Sequence, residues 1–294
     1  MKPAPLTLVM LMPLAAMAQT EVYGMLDANA PQQKANPFRR PADVGIDGPL
    51  GVVALGRQYN LIDETRAVLA KPLQDGSANL AGYTSERYDN TVRYQSSRSR
   101  SGIIGSMTYS LGESQFSSAT NRAYGATLGY EGGKAKLRIS YQRKENTLDA
   151  TGASPELDHT ARNALMAASY DFGGFVGYAG YGHSKGDISS QWSEANPYGL
   201  VGQRDLYTNS RDSLVGVVVP LGRATTLLAS FIRKDDRGIA DRDANQFAIG
   251  ASYTFSRRSD VYAAFSTIQN RNGAGFTSGN ATYRAINVGF RRAF

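Results

Sequence analysis

The sequence predicts an all-β chain: a transmembrane antiparallel up-and-down β-barrel of about fourteen strands. Three observations predict it. Segments of about ten residues, alternating apolar and polar side chains and bounded by turn residues, recur along the chain. The connections between these segments are short and long by turns. The last segment then sets Ile286, Val288, Phe290 and Phe294 on one side of a strand and Asn287, Gly289, Arg291 and Ala293 on the other. A free chain end normally frays, whereas this one is written to be sealed into a sheet.

Taken in order, residues 1–18 read as an export leader. Lys2 supplies the positive start, Leu6 to Leu14 a short apolar run, and Ala16-Met17-Ala18 a small-x-small cleavage site. Pro5, Pro13 and the brevity of the run argue against a membrane-spanning helix. Residues 19–294 then read as one domain, with no linker or low-complexity tract. No later stretch is long and apolar enough for a spanning helix. Hydrophobic content of 41% and a mean hydropathy of −0.35 suit a barrel whose oily outside and wet inside average out, as they suit a soluble protein. Seventeen tyrosines, eleven phenylalanines and 31 glycines tilt the balance toward strands with aromatic bands. With no cysteine, an exported chain must close its structure by backbone pairing instead of disulfides.

The strand segments fall at 21–28, 40–47, 51–58, 89–96, 102–111, 122–130, 134–143, 162–172, 175–184, 213–220, 225–233, 246–255, 259–269 and 284–294. Alternation is cleanest in three. Phe247, Ile249, Ala251, Tyr253 and Phe255 oppose Gln246, Ala248, Gly250, Ser252 and Thr254; Ala135, Leu137, Ile139 and Tyr141 oppose Lys134, Lys136, Arg138, Ser140 and Gln142. Ala164, Met166, Ala168, Tyr170 and Phe172 oppose Leu165, Ala167, Ser169 and Asp171. A period of two over such lengths is incompatible with helix. Short turns sit at 48–50, 131–133, 173–174, 221–223 and 256–258, and long polar loops at 59–88, 144–161, 185–212, 234–245 and 270–283. That is how the periplasmic and external rims of an outer-membrane barrel differ. An even strand count lets the first strand pair with the last.

The segments Val22 to Ala28 (VYGMLDA), Gly51 to Asn60 (GVVALGRQYN), Asp89 to Tyr94 (DNTVRY), Ala168 to Phe172 (ASYDF) and the closing strand resemble the trimeric general porins of Gram-negative outer membranes, the β-proteobacterial branch above all. The resemblance runs from about residue 21 to the end. It implies a homotrimer that lets small hydrophilic solutes and ions diffuse across the outer membrane, among outer-membrane lipids. It also implies delivery by the barrel-assembly machinery, which would read the C-terminal strand of Ile286, Val288, Phe290 and Phe294. It implies no cofactor, no metal and no chemistry. One departure stands out. The family usually has sixteen strands, with an SRFGFKG-like strand and its hairpin partner after the first; here a Pro/Gln/Asn stretch at 31–37 leads directly to Phe38-Arg39-Arg40. Loss of one hairpin keeps the count even and implies a narrower bore, because barrel diameter grows with strand number.

The resemblance also implies that loop 59–88 folds into the lumen, carrying Asp63, Glu64, Asp75, Arg66 and Lys71. Arg57 stands at the family's lumen-facing arginine, and Arg93 points inward if its neighbours Val92 and Tyr94 face lipid. The expected constriction is a positive wall of Arg57, Arg93 and Arg40 opposite Asp63 and Glu64, with Lys136 and Arg138 on the lumen wall. Asp63 and Glu64 also suit the first turn of a short helix. Charged rings of this kind decide which ions pass, and a net charge of +7 leans the channel toward anions. Export and the dispersal of the basic residues argue against nucleic acid. Two other classes stay open: a non-conducting structural or adhesive barrel, and an outer-membrane lipase using His159 or His183.

Overall fold

The computed structural model describes residues 21–26, 42–66, 68, 87–112, 122–145, 160–186, 209–238, 241, 243–256, 258–272 and 281–292. Fourteen strands make one sheet: β1 (Glu21–Leu26), β2 (Ala42–Gly48), β3 (Gly51–Tyr59), β4 (Arg87–Ser96), β5 (Ile103–Ser110), β6 (Ala123–Gly132), β7 (Ala135–Glu145), β8 (Thr160–Asp171), β9 (Val176–Lys185), β10 (Asn209–Leu221), β11 (Thr225–Asp236), β12 (Ala244–Ser256), β13 (Ser259–Asn270) and β14 (Ala281–Arg292). Each is hydrogen-bonded to its chain neighbours in the order β1 to β14. Every ladder is antiparallel, from Glu21↔Asp47 to Ser259↔Arg292. Among the described residues one helix, α1 (Leu61–Arg66), follows β3.

Each expected strand is present. The largest shift is at β10, which starts at Asn209 where alternation first shows at 213. Residues Asn209-Ser210-Arg211-Asp212 carry no apolar side chain, yet backbone pairing continues through them to Lys185 and Asp236. A ladder does not need apolar side chains; only the part that meets oil does. Short turns close with glycines where the backbone demands them: Gly133 and Gly222 have φ of 54° and 69°, a region that disfavours residues with a Cβ.

The sheet is built inside out. One face presents large apolar side chains to the surroundings, such as Leu128, Ile139, Met166, Val215 and Ile249, all exposed. The opposite face buries polar ones, among them Thr91, Ser106, Thr127, Ser140, Gln142 and Gln246. Register carries this division from strand to strand: outward Leu55, Val92, Tyr109 and Tyr124 are successive cross-strand partners. Ile286, Val288 and Phe290 lie in β14 on the outward face and are strongly exposed. Phe294 and Arg40 lie outside the described residues, as do residues 1–18. No helix among the described residues is long and apolar enough to cross a membrane, so any crossing belongs to the strands.

Candidate functional site: the inner wall and its helix

A six-residue helix has too few hydrogen bonds to hold itself, and α1 is held by its cap and by the sheet. Asn60 caps it, its Oδ1 accepting from the Asp63 N–H at 2.8 Å. Asp63 and Glu64 occupy the first turn and Arg66 the last, in the sense the helix dipole favours, and Arg66 pairs with Asp63. Leu61, Ile62 and Thr65 are buried against the inner face of β6, β7 and β8. Leu61 and Ile62 each gain about 1.5–3 kcal/mol from full burial. Gly125 on β6 makes the room: a Cβ there would stand 3.0 Å from Leu61 Cδ1.

Polar contacts fix the helix on that wall. The Leu61 N–H donates to Gln142 Oε1 at 3.1 Å, and Ser140 Oγ donates to the Leu61 carbonyl at 3.2 Å. Thr65 meets the same Ser140, which is 2.6 Å from Thr127 Oγ1. Tyr88 holds the far end of Gln142 through its hydroxyl. Glu64 is thereby turned toward β4 and β5. Arg93 forms an ion pair with its carboxylate, Ser106 Oγ donates to Oε2 at 3.3 Å, and Arg138 Nη1 donates to the Glu64 carbonyl at 2.9 Å. Arg138 also pairs with Glu131 at 2.6 Å, and Arg93 donates to Gln95 Oε1 at 2.7 Å. Burial raises the Glu64 carboxyl above the ordinary carboxylate range, outweighing Arg93 and Arg138, which pull it down. An open recess of about 220 Å³ remains, lined by Glu64, Gln95, Ile104, Ser106, Thr127 and Arg138.

The expected constriction residues thus fall into different places. Arg93 and Glu64 come together, in contact and not across open space. Arg138, read as plain wall, is at the centre of the network. Arg57 lies in the irregular pairing between Gly56 and Gln58, and its guanidinium meets Asp89 at 3.3 Å instead of the acids of α1. Asp63 turns to Arg66. Lys136 shares the Arg138 face nearer the short-turn rim and is exposed. Arg87, which nothing in the sequence singles out, donates to the Tyr59 hydroxyl at 2.7 Å with its guanidinium 4.4 Å from that ring's centre.

A Gram-negative porin family profile matches residues 25–273. The chain is a Gram-negative porin. It lies in the outer membrane as a transmembrane β-barrel and forms a water-filled channel for passive diffusion of small hydrophilic solutes. An outer membrane porin protein of Bordetella pertussis is 26% identical to it, over 89% of this chain and 74% of that protein. Among solved structures, the anion-selective porin from Comamonas acidovorans matches with a TM-score of 0.66 at 20% identity, over 87% of this chain and 78% of that one. OmpF of Salmonella typhi matches at 0.61 and 15%, over 85% and 78%. OmpT of Vibrio cholerae in its trimer form matches at 0.60 and 14%, over 86% and 80%. At these identities the structures speak for the fold.

The porin's inner wall has two unlike halves. Around β3 to β7 it is charged and hydroxylated, as above. Around β8 to β13 apolar clusters stand among buried polar residues such as Ser184, Asp212, Ser230, Lys234 and Gln246: Ala167, Tyr178, Leu214, Ile232, Ala244 and Ile268 form one cluster with Val68, and Leu228, Ala248 and Ala264 form a second. Alternation alone could not reveal this, since an inward isoleucine such as Ile232 reads as a flaw in the pattern. His183 is on the outward face, its Nε2 3.3 Å from Asn209 Oδ1; His159 lies outside the described residues.

Proposed function

We propose that the wall around α1 selects among the solutes that pass, and that it favours anions. The observation that carries the reading is Glu64, held on the inner face between the Arg93 and Arg138 guanidiniums. Arg93, Arg138 and Lys136 outnumber Glu64 and Glu131 along this wall, so a passing anion meets a positive surface whose acids are already engaged. The likeness to an anion-selective porin supports the same sign.

The test is reversal potential in a salt gradient across a planar bilayer. The wild type is expected to prefer anions, and Arg93→Gln with Arg138→Gln to lose most of that preference while still conducting. Cation preference in the wild type, or no change in the double variant, would overturn the assignment.

The same reading covers assembly. A cleaved leader over 1–18, insertion by the barrel-assembly machinery through the strand ending at Phe294, and a homotrimer together account for the apolar outer face, and the trimer form of the OmpT match supports the last. The protein performs no chemistry in this scheme; its work is the shape and charge of the water path.

A further inference from the structure

The sequence divides its charges unevenly between the two ends of the sheet. Each strand pairs with its chain neighbours, so the connections fall at the two ends by turns. Those at the long-loop end, from the one between β1 and β2 to the one between β13 and β14, hold ten lysines and arginines against fourteen acids. Those at the short-turn end hold Arg98, Arg100, Lys134, Arg223, Arg257 and Arg258 and no acid. Acids do stand on the strand ends beside those turns. In the sector of β4 to β7, however, residues 94–104 and 128–138 contain Glu131 alone against Arg98, Arg100, Lys134, Lys136 and Arg138.

That acid is already answered twice. Arg98 Nη2 lies 2.5 Å from Glu131 Oε2, and Arg138 Nη2 lies 2.6 Å from Oε1. Arg100, Lys134 and Lys136 are exposed, and among the described residues no ion pair engages them.

Register joins this rim to the helix site. Glu131 and Lys136 are cross-strand partners on β6 and β7. Arg138, Lys136 and, at the turn, Lys134 follow one alternation on the inward side of β7, at steps of about 7 Å. Arg138 in turn donates to the Glu64 carbonyl of α1 at 2.9 Å. Cations thus descend stepwise from α1 to the short-turn mouth. A charge is felt over about 8 Å at about 0.15 M salt and over about 3 Å at about 1 M. Neighbouring steps therefore overlap at the lower concentration and stand apart at the higher one.

We infer that the β4–β7 side of the short-turn mouth is the anion-collecting end of the channel, and that anions pass more readily from that mouth toward the long loops than in reverse. A cation excess at one mouth raises the anion concentration there. The other mouth has the opposite balance, so equal and opposite voltages drive unequal anion currents. The solutes collected are small hydrated anions, because exposed and separated cations make a field and not a fitted pocket. The inference rests on the anion preference proposed above.

The test is the current–voltage curve of the full chain in a planar bilayer, with chloride as the probe. The chain has no cysteine, so Gly174→Cys can mark its orientation. Gly174 lies in the short turn between β8 and β9, where a Cβ would meet nothing within 4 Å. Biotin-maleimide at that thiol, with streptavidin added to one compartment, lowers the current only from the side that holds the short turns. In about 0.1 M potassium chloride the wild type should pass about twofold more current when chloride is driven in from that side, and the two currents should converge at about 1 M. Lys134→Gln/Lys136→Gln should lose most of the asymmetry while matching wild-type conductance at high salt, a sign that the bore is intact. Arg223→Gln/Arg258→Gln, the same change of charge at the same end but in another sector, should keep it. An anion-preferring wild type with a symmetric or reversed curve at low salt overturns the inference alone. Equal loss in the two variants, or none in the first, does so too. A cation-preferring wild type overturns the selectivity reading beneath it.

Discussion

Glu64 is the residue on which the wall's charge turns. Its raised pKa means that it takes up a proton at a higher pH than ordinary carboxylates do. As pH falls, the negative charge facing Arg93 is lost first, leaving that guanidinium without its carboxylate while Arg138 keeps Glu131, so anion preference should strengthen on acidification. The sign for stability is the same: a carboxyl whose folded pKa is raised stabilises on the acid side and loses that contribution as pH rises through the raised value. Glu64→Gln should show the stronger preference at neutral pH and no further rise between about pH 7 and pH 4, measured as reversal potential. An unaltered pH profile would show that another acid titrates. How much of this was legible in sequence differs by residue. Arg93 was readable because its neighbours are apolar at a period of two. The ties from Leu61 to Gln142 and from Glu64 to Arg138 were not, because they join positions more than seventy residues apart, and no local pattern encodes such a meeting. Arg57 was placed by resemblance alone; its pairing with Ala42 continues the side of Val44 and Leu55, and it meets Asp89.

At the scale of the element, strands were legible wherever they meet oil and illegible above it. The Asn209–Asp212 start of β10 is polar on both faces, yet it pairs along its full length. α1 was readable only as a capped turn, since one and a half turns give no period, and its position depends on partners across the sheet. Within the sheet, glycines facing tyrosines form a local device. Gly216 pairs with Tyr178 and Gly289 with Tyr262, and a Cβ at either would stand 2.3 Å or 2.4 Å from the partner's ring or hydroxyl. The ring lies over the bare backbone, covering a position that would otherwise weaken the strand. Gly216→Val should therefore displace Tyr178 from the inner cluster and cost about 1–3 kcal/mol by overpacking, lowering the temperature at which the folded band is lost on unheated gels. A midpoint equal to the wild type would show that the tyrosine moves freely.

For the whole molecule, the sequence carried the strand count and the oil-to-water alternation, because both are repeated many times and survive local exceptions. It did not carry the gathering of apolar inward residues into clusters on the β8–β13 side. That gathering follows from which inward positions happen to neighbour one another, such as Leu228, Ala248 and Ala264 on adjacent strands. If the protein assembles as a homotrimer, purified material added to a planar bilayer should raise conductance in steps grouped in threes. Single steps from a species of monomer mass would remove the trimer from the account.

Pairing confined to consecutive strands has a further consequence. A backbone nick in the connection between β9 and β10 would sever no ladder, because the two strands remain joined along Asn209↔Lys185 to Val218↔Val176. Each half would hold its other consecutive ladders within itself. The molecule could thus be made as two separate pieces that reunite along this seam and along the line where the barrel closes, which a fold with crossing connections would not permit.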